Sequence, residues 1–485
     1  MTFAKHTTNL EVYMKNNKKF YINGQWVNPL VANDYPVINP ATEQTIATIS
    51  LGSIKDVDLA VFAARQAFSS FGHSSVEQRI SLLEALLKQY IDNYDEMAHA
   101  ISLEMGAPID FAINAQADCG KGHIASTLAV LKEFQFSRTL ANAEIIKEPI
   151  GVCGFITPWN WPINQIACKV APALATGCTM ILKPSEIAPL SAQLFSQMVH
   201  DAGYPVGVYN MVNGDGIGVG SAMSAHKDID MISFTGSTRA GIAIAKSAAD
   251  TVKRVTQELG GKSPNIILDD ANIEKAVKRG ILGCMSNTGQ SCNAPTRMLV
   301  PASHYQQAVD AAKTTIAKVK VGNPEEHGYH IGPLVSEAHF NKVQTLIQQG
   351  IDEGATLLAG GVGKPAGFET GYFTKPTIFT DVNNQMTIAR EEIFGPVLVM
   401  IPYEDEEQAI EIANNTPYGL AAFIQSEDTD RAKRVARKIR AGMISINGAP
   451  HYYTSPFGGY KQSGNGREWG EFGFDDFLET KSVSS

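Results

Sequence analysis

The chain has 485 residues, of which 44% are hydrophobic and 18% charged, as is typical of a soluble globular protein and not of a disordered or collagen-like chain. This length predicts two or three domains, each with its own core. Forty basic against forty-nine acidic side chains give a net charge of −9, and without a dense basic run the chain is a poor candidate for binding nucleic acid or an anionic membrane surface.

The N-terminal residues 1–19 are polar and are predicted to form a flexible tail, not a signal peptide. No apolar run approaches the roughly 20 residues of a membrane-spanning helix. The six cysteines form no CxxC pair, which favours reduced thiols in the cytoplasm over structural zinc. We predict no metal site, because His327 and His330 lie in a loop segment without acidic partners and are expected to face solvent.

The first regular elements are predicted on both sides of the Asn-Gly turn at residues 23–24, as two short strands. From Ile54 to Leu103 apolar residues recur every three or four positions, which predicts packing helices without a chemical role. Another helix is predicted from Ala115 to Phe134, followed by an extended segment from Arg138 to Glu148.

From Gly151 onwards strands and helices alternate, and several strands end in polar or glycine-containing segments. These segments are Pro158-Trp159-Asn160-Trp161-Pro162, Lys183-Pro184-Ser185-Glu186 and Phe234-Thr235-Gly236-Ser237. Because ligands bind beyond the carboxyl ends of parallel strands, these segments are expected to border a ligand site. Gly236 allows close backbone approach, and Ser237 with the following helix start offers hydrogen-bond donors to a pyrophosphate. The glycine-rich turn at residues 214–220 fits no strict dinucleotide motif.

A second α/β domain is predicted beyond Glu258, opening with a strand at Asn265–Leu268 and a helix at Ile273–Met285 that leads towards Cys292. Residues 324–330 and the glycine-rich residues 350–371 are predicted to be loops.

Glu258 and Cys292 carry the chemistry that the sequence suggests. Glu258 ends an apolar strand before a Gly-Gly turn, and Cys292 follows small and amide residues. A cysteine and a carboxylate in one cavity suffice for covalent catalysis followed by hydrolysis, since the thiolate attacks a carbonyl and the base then deprotonates water. Taken singly, each of these residues has a simpler explanation. A lone cysteine is more often a small buried hydrophobe, and a lone glutamate before a Gly-Gly turn is usually the solvent-exposed end of a strand.

Together the segments at 258–264 and 287–292 resemble, in order and spacing, the two signatures of the aldehyde dehydrogenase superfamily, in its hydrolytic, non-acylating branch. The segments at 390–397 and 456–468 fit further motifs of that family, and the resemblance extends from about Phe20 to Val483. It implies an α/β fold with a Rossmann-like cofactor domain, a second α/β catalytic domain and a small β oligomerisation element. It also implies a homodimer or homotetramer, in which the tail strand within Phe472–Val483 pairs with a neighbouring subunit.

The domain boundaries that we predict follow from this resemblance. They are 1–19 for the tail, 20–118 and 148–258 for the NAD-binding domain, 259–447 for the catalytic domain, 119–147 and 470–485 for the oligomerisation element, and 448–469 for the substrate-tunnel and domain-return segment.

The resemblance also implies site residues. Cys292 is the nucleophile, Glu258 activates water, Asn160 and the Cys292 N–H form the oxyanion hole, and Glu468 relays protons to Glu258. The implied cofactor-binding residues are Trp159, Lys183, Ser185, Glu186, Gly216, Phe234, Gly236, Ser237, Leu259, Glu392 and Phe394. The implied substrate-binding residues are Trp161, Gln165, His451 and Phe457. Glu186 favours NAD over NADP, since a carboxylate accepts hydrogen bonds from ribose hydroxyls and repels a 2′-phosphate.

The predicted reaction is the NAD-dependent oxidation of a small-molecule aldehyde to a carboxylic acid through a Cys292 thiohemiacetal and thioester. Two other interpretations stay open at this point: a non-redox thioester or ester hydrolase that uses the same cysteine, and a non-catalytic structural protein on the same fold. The mixed aromatic and polar residues expected along the tunnel favour an aldehyde with a polar or aromatic group over a long alkyl chain.

Overall fold

A computed structural model describes residues 16–485. Its largest sheet has eight strands, of which the five central ones are parallel. In spatial order the strands are Gly464–Asn465, Arg254–Glu258, Met231–Thr235, Val152–Ile156, Thr179–Lys183, Tyr209–Met211, Phe20–Ile22 and Gln25–Val27. The predicted pair of strands around the Asn-Gly turn thus forms an antiparallel edge of this sheet.

Helices cover both faces of the eight-stranded sheet, which is why its central strands are buried almost throughout. The helices are Ile54–Phe71, Val76–Asp92, Tyr94–Met105, Ile109–Phe111, Asp118–Glu133, Pro162–Thr176, Leu190–Asp201, Ser221–Ala225 and Thr238–Ala248. One apolar core lies between the sheet and the helices that include Val76–Asp92 and Pro162–Thr176. The other lies on the opposite face, against Ile54–Phe71.

A second sheet has seven strands, parallel except at one edge. In spatial order they are Thr356–Ala359, Thr377–Thr380, Val397–Tyr403, Arg297–Pro301, Pro264–Ile267, Ala421–Gln425 and Met443–Ile446. Its helices are Ile273–Met285, Tyr305–Ile316, Glu337–Asp352, Thr387–Arg390, Glu406–Asn414 and Thr429–Lys438. The prediction of an α/β fold, with a Rossmann-like domain and a second α/β domain, is therefore confirmed.

Two predicted loops contain regular structure. Residues 350–371 were expected to be loop, but Gly350 lies within the helix Glu337–Asp352 and a strand follows at Thr356–Ala359. A Cβ on Gly350 would lie 2.9 Å from the Ile388 side chain, so this glycine permits close packing and does not mark a turn. Residues 216–220 form a wide helical turn in which Asp215 accepts a hydrogen bond from the Gly218 N–H at 2.6 Å.

The small β element is a three-stranded sheet of Leu478–Ser484, Ala143–Pro149 and Ser137–Leu140, in that order. The tail strand has a partner within its own chain, and its pairing with a neighbouring subunit stays a prediction. Leu478–Ser484 pairs along its whole length with Ala143–Pro149 of its own chain. A short helix at Phe472–Asp475 returns the chain to this position, and an ion pair from Lys481 to Glu148 at 2.7 Å supports the register.

The sheet begins at Ser137, whereas the predicted oligomerisation element began at residue 119. Residues 118–133 form a helix whose apolar side, with Ile124 and Leu131, is buried in the main core. A separate two-stranded sheet joins Asp34–Ile38 to Thr45–Ser50.

Of the predicted tail, residues 1–15 lie outside the described part of the chain. Residues 16–19 lie against the body of the protein, where the Gln193 side-chain amide donates to the Asn17 carbonyl at 2.8 Å. Within residues 16–485 no helix is long and apolar enough to cross a membrane.

Over the same residues, no cluster of three or more His, Cys, Asp or Glu side chains is arranged to hold a metal ion. His327 does have an acidic partner, contrary to the premise used for it above, since its Nδ1 lies 2.7 Å from an Asp110 oxygen. That carboxylate is distant in sequence, which is why the local pattern did not reveal it.

Candidate active site

The site forms where parallel strands of the eight-stranded sheet end. The strands that finish at Ile156, Thr235 and Glu258 are neighbours in register, so their carboxyl ends meet at one edge. A cavity of about 190 Å³ lies beyond that edge. Its lining residues are Pro158, Trp159, Asn160, Gln165, Thr235, Gly236, Ser237, Glu258, Leu259, Gly260, Cys292, His339, Lys342, Glu392 and Phe394. Ten of the residues singled out from the sequence thus surround one space.

Cys292 reaches this cavity through a strained turn. Asn287, Thr288 and Gly289 all have positive φ, of 52°, 57° and 72°, a conformation that costs non-glycine residues of order 1 kcal/mol or more each. Surrounding hydrogen bonds hold the turn: Thr288 Oγ1 donates to the Gly332 carbonyl at 3.2 Å, and the Val335 N–H donates to Gln290 Oε1 at 3.0 Å. The thiol position is therefore fixed by packed neighbours and not by its own loop.

Asn160 is buried and its amide group is oriented by the same turn. Its Nδ2 donates one hydrogen to the Gln290 carbonyl at 3.0 Å. An amide nitrogen carries two hydrogens, so the second is free to donate into the cavity. The Asn160 carbonyl in turn accepts from Asn287 Nδ2 at 2.9 Å. One amide donor is thus available in the cavity that Cys292 also lines, as an oxyanion hole requires.

Glu258 is 4% exposed, and neither of its carboxylate oxygens has a hydrogen-bond partner among residues 16–485. Burial raises its pKa well above the usual range, and the nearby charge of Glu468 raises it further. A buried carboxyl without partners is costly and is characteristic of a group that exchanges protons with a ligand or water.

Glu468 lies outside the cavity, directly behind Glu258. It forms an ion pair with Lys169, whose side chain is 1% exposed, and it accepts a hydrogen bond from the Cys168 thiol at 3.3 Å. Burial on its own would lower the Lys169 pKa, but Glu468, Cys168 and Glu258 together more than compensate and the pKa is raised. Lys169 was not predicted as a site residue, because it lies inside an apolar helix with no local motif to identify it.

On the cofactor side, Glu392 lies close to the two glycines after Glu258. The Gly261 N–H donates to Glu392 Oε1 at 3.0 Å, which leaves Oε2 free. A Cβ on Gly260 would lie 2.4 Å from Glu392 Oε2, and a Cβ on Gly261 would lie 2.4 Å from the Cys292 carbonyl oxygen. Only glycine allows the backbone to approach both groups this closely.

Trp159, Phe394 and His339 form an aromatic wall of the cavity. Trp159 lies 5.5 Å from Phe394 and 5.3 Å from His339, measured between ring centroids. Burial lowers the His339 pKa to about 4, so its ring is neutral at pH 7 and its Nε2 hydrogen donates to the Phe394 carbonyl at 2.7 Å. Phe394 itself has a positive φ of 64°, which this hydrogen bond supports.

The helix Glu337–Asp352 supplies His339 and also Lys342, whose Nζ donates to the Glu392 carbonyl at 3.0 Å. Both residues line the cavity, and the sequence analysis assigned no role to either. Their only signal was a polar face on an amphipathic helix, which is common to most surface helices.

Further along the sheet edge, Lys183 and Glu186 form an ion pair at 3.1 Å. Ser185 lies between them and its hydroxyl accepts from the Ile187 N–H at 3.3 Å.

Gly216 is exposed, and Phe234 packs in the core under Gly236. These residues lie outside the cavity but along the same side of the sheet. Ser237 caps the helix Thr238–Ala248 by accepting from the Ala240 N–H at 3.3 Å.

The four predicted substrate residues differ in where the structure places them: one lines the cavity, two lie beside the thiol or its loop, and one is exposed. Gln165 lines the cavity, and its side-chain oxygen is buried without a partner. Trp161 does not line it, but its indole N–H donates to Ser291 Oγ, next to the thiol, at 2.8 Å. Phe457 belongs to the apolar cluster that contacts Cys292 and stacks on Trp469 at 4.5 Å. His451 is exposed, and the structure does not bring it to the cavity.

Burial raises the pKa of the Cys292 thiol, and the carboxylates of Glu392 and Glu258 raise it further. The resting thiol is therefore neutral. It must lose its proton as it attacks a carbonyl, while the carboxyl of Glu258 lines the same cavity and is available to take a proton from water in a later step.

Comparisons with known proteins agree with this geometry. Residues 26–483 match the aldehyde dehydrogenase family. A 3-succinoylsemialdehyde-pyridine dehydrogenase from a Pseudomonas species is 54% identical over 471 residues, which cover 97% of this chain and 99% of that protein. An aldehyde dehydrogenase C mutant from Pseudomonas syringae, solved with NAD+ and octanal, matches with a TM-score of 0.96 and 50% identity over 97% of each chain.

A betaine aldehyde dehydrogenase from Staphylococcus aureus, solved with NAD+, matches with a TM-score of 0.95 and 36% identity over 99% of this chain and 97% of that one. The chain belongs to the aldehyde dehydrogenase family, and the resemblance identified from its sequence motifs is confirmed.

Proposed function

We propose that this protein oxidises an aldehyde to a carboxylic acid with NAD as the hydride acceptor. The observation that supports this best is the buried, unpartnered carboxyl of Glu258 in the same cavity as Cys292 and the free amide hydrogen of Asn160. A nucleophile, an oxyanion donor and a base in one enclosed space are what acyl chemistry with subsequent hydrolysis needs.

The residues present fit a dinucleotide. Glu392 keeps one carboxylate oxygen free for ribose hydroxyls, and Trp159 with Phe394 provides apolar walls for a ring. Gly236 and Ser237 lie at a helix start that suits a pyrophosphate. Bound NAD+ supplies a hydride acceptor. The relatives solved with NAD+ support the same coenzyme here.

In the proposed reaction Cys292 loses its proton and its sulfur bonds to the aldehyde carbon. The new alkoxide accepts hydrogen bonds from Asn160 Nδ2 and the Cys292 N–H, and one such donor contributes about 3 kcal/mol. The alkoxide collapses to a carbonyl as hydride leaves the same carbon, which produces a thioester on Cys292. Glu258 then takes a proton from water, the hydroxide attacks the thioester, and the acid leaves as the thiol is restored.

Glu468 and Lys169 fit a role behind Glu258. Their ion pair lies where a proton held on Glu258 can pass away from the cavity. The hydrolase alternative uses the same cysteine and base without hydride transfer, and it predicts product formation in the absence of NAD. The buried Glu392 carboxyl and the aromatic wall favour the oxidation, since ester hydrolysis needs neither.

For the substrate we propose an aldehyde that carries an aromatic or polar group. Gln165 presents a buried amide oxygen without a partner, and Phe457 and Trp161 provide aromatic surface beside the thiol. The Pseudomonas relative named for a pyridine-containing semialdehyde agrees with this class, whereas the relative solved with octanal represents the alkyl alternative.

A panel of aldehydes tests the function and the substrate class together. With NAD+ present, we expect NADH formation and a kcat/KM for 4-hydroxybenzaldehyde at least about tenfold above that for octanal, because the phenol O–H can donate to the Gln165 amide oxygen whereas an alkyl chain leaves that buried oxygen unpaired. Absorbance at the NADH band measures the rate. Gln165→Met, which keeps the volume but removes the amide, should lower the ratio of kcat/KM for 4-hydroxybenzaldehyde to that for octanal.

Two outcomes would contradict these proposals separately. Failure to form NADH from any aldehyde of the panel, by an enzyme that hydrolyses an aryl acetate without NAD, would overturn the oxidation. A clear preference for long unbranched alkanals, with NAD still required, would overturn only the substrate class.

The coenzyme preference has its own test at Glu186. Replacing it with glutamine removes a negative charge where a 2′-phosphate would lie and leaves Lys183 without its ion-pair partner. A charge interaction of about 1 kcal/mol or more predicts a rise of about tenfold in the ratio of kcat/KM for NADP to that for NAD. Glu274→Gln, which changes an exposed glutamate of the second sheet's helices, is the matched control and should leave the ratio unchanged.

We further propose that the protein forms a homodimer or homotetramer through its small β element. Both outer strands of the three-stranded sheet have unpaired edges, and Ser137–Leu140 is exposed along its whole length, a surface suited to another subunit. The predicted domain boundaries and a cytoplasmic location, with reduced thiols, are part of the same proposal; the cysteines are all free in the structure.

A further inference from the structure

Glu104 is a buried carboxyl that the proposed reaction does not use. It lies in the last turn of the helix Tyr94–Met105 and is fully buried. One of its oxygens accepts a hydrogen bond from the Leu190 N–H at 2.5 Å, and the other accepts from the Ser191 N–H at 3.1 Å. A fully buried carboxyl is costly unless hydrogen bonds satisfy it, so these two bonds show what the side chain holds.

The two donors are the first N–H groups of the helix Leu190–Asp201. Such groups have no partner inside their helix and are usually satisfied by a side chain just before it. The residue before this helix is Pro189, and no local side chain caps the helix. Glu104, which lies 86 positions before Leu190, supplies the cap from another helix. A carboxylate also suits the positive end of the helix dipole.

The capped helix start lies directly after the segment expected to bind the coenzyme's adenosine ribose. The strand Thr179–Lys183 ends this segment on one side, where the Lys183 carbonyl accepts from the Thr157 N–H at 3.1 Å. Glu186 follows, and residues 187–189 lead from it to the helix start. The coenzyme segment is thus stretched between a strand end and a helix start. A displacement of the helix start displaces Glu186 as well.

We propose that Glu104 is a positioning residue for the coenzyme. By holding the start of the helix Leu190–Asp201, it holds Lys183 and Glu186 where the adenosine ribose binds. The proposal rests on the NAD-dependent function proposed above. Glu104 is not among the residues that line the cavity at Cys292, so its effect falls on coenzyme affinity and not on the chemistry at the thiol.

The charge of Glu104 is part of this role. Burial raises the pKa of its carboxyl to about 7, although the nearby Ser191 hydroxyl and the N–H groups of Leu190 and Ser191 act in the opposite direction. These groups are uncharged, and the neighbouring two-stranded sheet contributes the apolar Val37 and Ile49. An ionised carboxylate accepts both N–H bonds, whereas a protonated one directs an O–H at an N–H donor. The cap therefore weakens as the pH falls below about 7.

Glu104→Gln tests the role in the full-length protein. Glutamine keeps the shape of the side chain but offers one acceptor oxygen and one NH2 group to the two N–H donors. At pH 8 and saturating aldehyde, we expect the KM for NAD+ to rise about tenfold, because a buried donor is left unpaired, while kcat stays at the wild-type value. The Kd for NAD+, measured by quenching of tryptophan fluorescence, should rise by the same factor. Asp95→Asn, at an exposed carboxyl of the same helix, should change neither value.

Hydrolysis of 4-nitrophenyl acetate without NAD separates coenzyme positioning from general damage. This reaction needs the Cys292 thiol but no coenzyme, so Glu104→Gln should hydrolyse the ester at the wild-type rate. A loss of hydrolysis as large as the loss of NAD+ affinity would overturn the proposal, and so would an unchanged Kd for NAD+. The binding titration needs no turnover, so it tests Glu104 even if the protein does not oxidise aldehydes.

The pH dependence of NAD+ binding is a measurement that a merely structural cap would not alter. The wild-type Kd should rise at least about threefold between pH 8 and pH 6, as Glu104 gains its proton, and Glu104→Gln should lack this rise. Burial also raises the pKa of Glu392, but Glu392 is present in both proteins, so the difference between them reports on Glu104. Glu104→Asp, which keeps the charge on a shorter side chain, should retain the rise if glutamine prevents folding. Parallel pH profiles in the wild type and Glu104→Gln, or a Glu104→Asp profile without the rise, would refute the role.

Discussion

Alanine at position 292 is expected to reduce kcat for aldehyde oxidation by at least about 10⁴-fold, the scale of loss when an enzyme's covalent nucleophile is removed. Without the sulfur there is no bond to the aldehyde carbon, and a bound aldehyde has no alkoxide from which hydride can leave. Asn160 and Glu258 still line the cavity in such a variant, so binding of NAD+ and of substrate should persist. The measurement is NADH formation in a stopped-flow instrument, in which we expect neither a burst nor a steady rate.

Cys119→Ala is the matched control, because Cys119 and Cys292 are the two cysteines of the described chain that are not fully buried. Its activity should equal that of the wild type. Titration of NAD+ binding by quenching of tryptophan fluorescence checks that Cys292→Ala is folded and competent to bind. Appreciable NADH formation by Cys292→Ala, or its loss in the Cys119 variant, would show that the nucleophile has been assigned to the wrong residue.

The elements that the sequence predicted well are those with a local cause. The helix at Ile273–Met285 has the bounds expected from its apolar periodicity. The strand that ends at Lys183 could be recognised because buried parallel strands are continuous apolar runs, whereas the strand Arg254–Glu258, described from the sequence as apolar, has four polar residues among its five. Cys292 and Glu258 could be paired because two short motifs occur in a recognisable order.

What the sequence did not reveal depends on contacts between distant segments. Lys169 could not be predicted as a site residue, because its ion-pair partner Glu468 lies about three hundred positions later in the chain. His339 and Lys342 reach the cavity because their helix packs next to the Phe394 turn. The tail strand pairs with its own chain through a return that no local pattern specifies. His451 was predicted to line the substrate tunnel because of its position relative to the family motifs. In the structure its side chain is exposed.

Burial in the cavity changes the acidity of both Cys292 and Glu258 in the same direction. Cys292 and Glu258 both have raised pKa values, in each case first because of burial. A neutral thiol protects the resting enzyme from side reactions, and a carboxyl of raised pKa is a stronger base than an exposed one. We therefore expect the thiol and the carboxyl to act in sequence, with Glu258 required most in the hydrolytic half of the reaction.

Glutamine at position 258 should separate those two halves. The substitution keeps the shape of the side chain but removes the group that takes a proton from water. Thioester formation is expected to go on, so rapid mixing should give a burst of NADH approaching one equivalent per active site. The steady rate that follows should be about 10²- to 10⁴-fold below that of the wild type, the usual contribution of a general base.

The pH dependence supplies the sharper test of Glu258. Because its pKa is raised by burial and then by Glu468, the wild-type steady rate should fall as the pH drops below that raised value, where the carboxyl holds its proton and cannot act as a base. Glu258→Gln has no such group, so its slow steady rate should lose this dependence while acid-quench trapping detects accumulated thioester. A Glu258→Gln enzyme with wild-type steady turnover, or one that accumulates no thioester after a full burst, would show that another group activates the water.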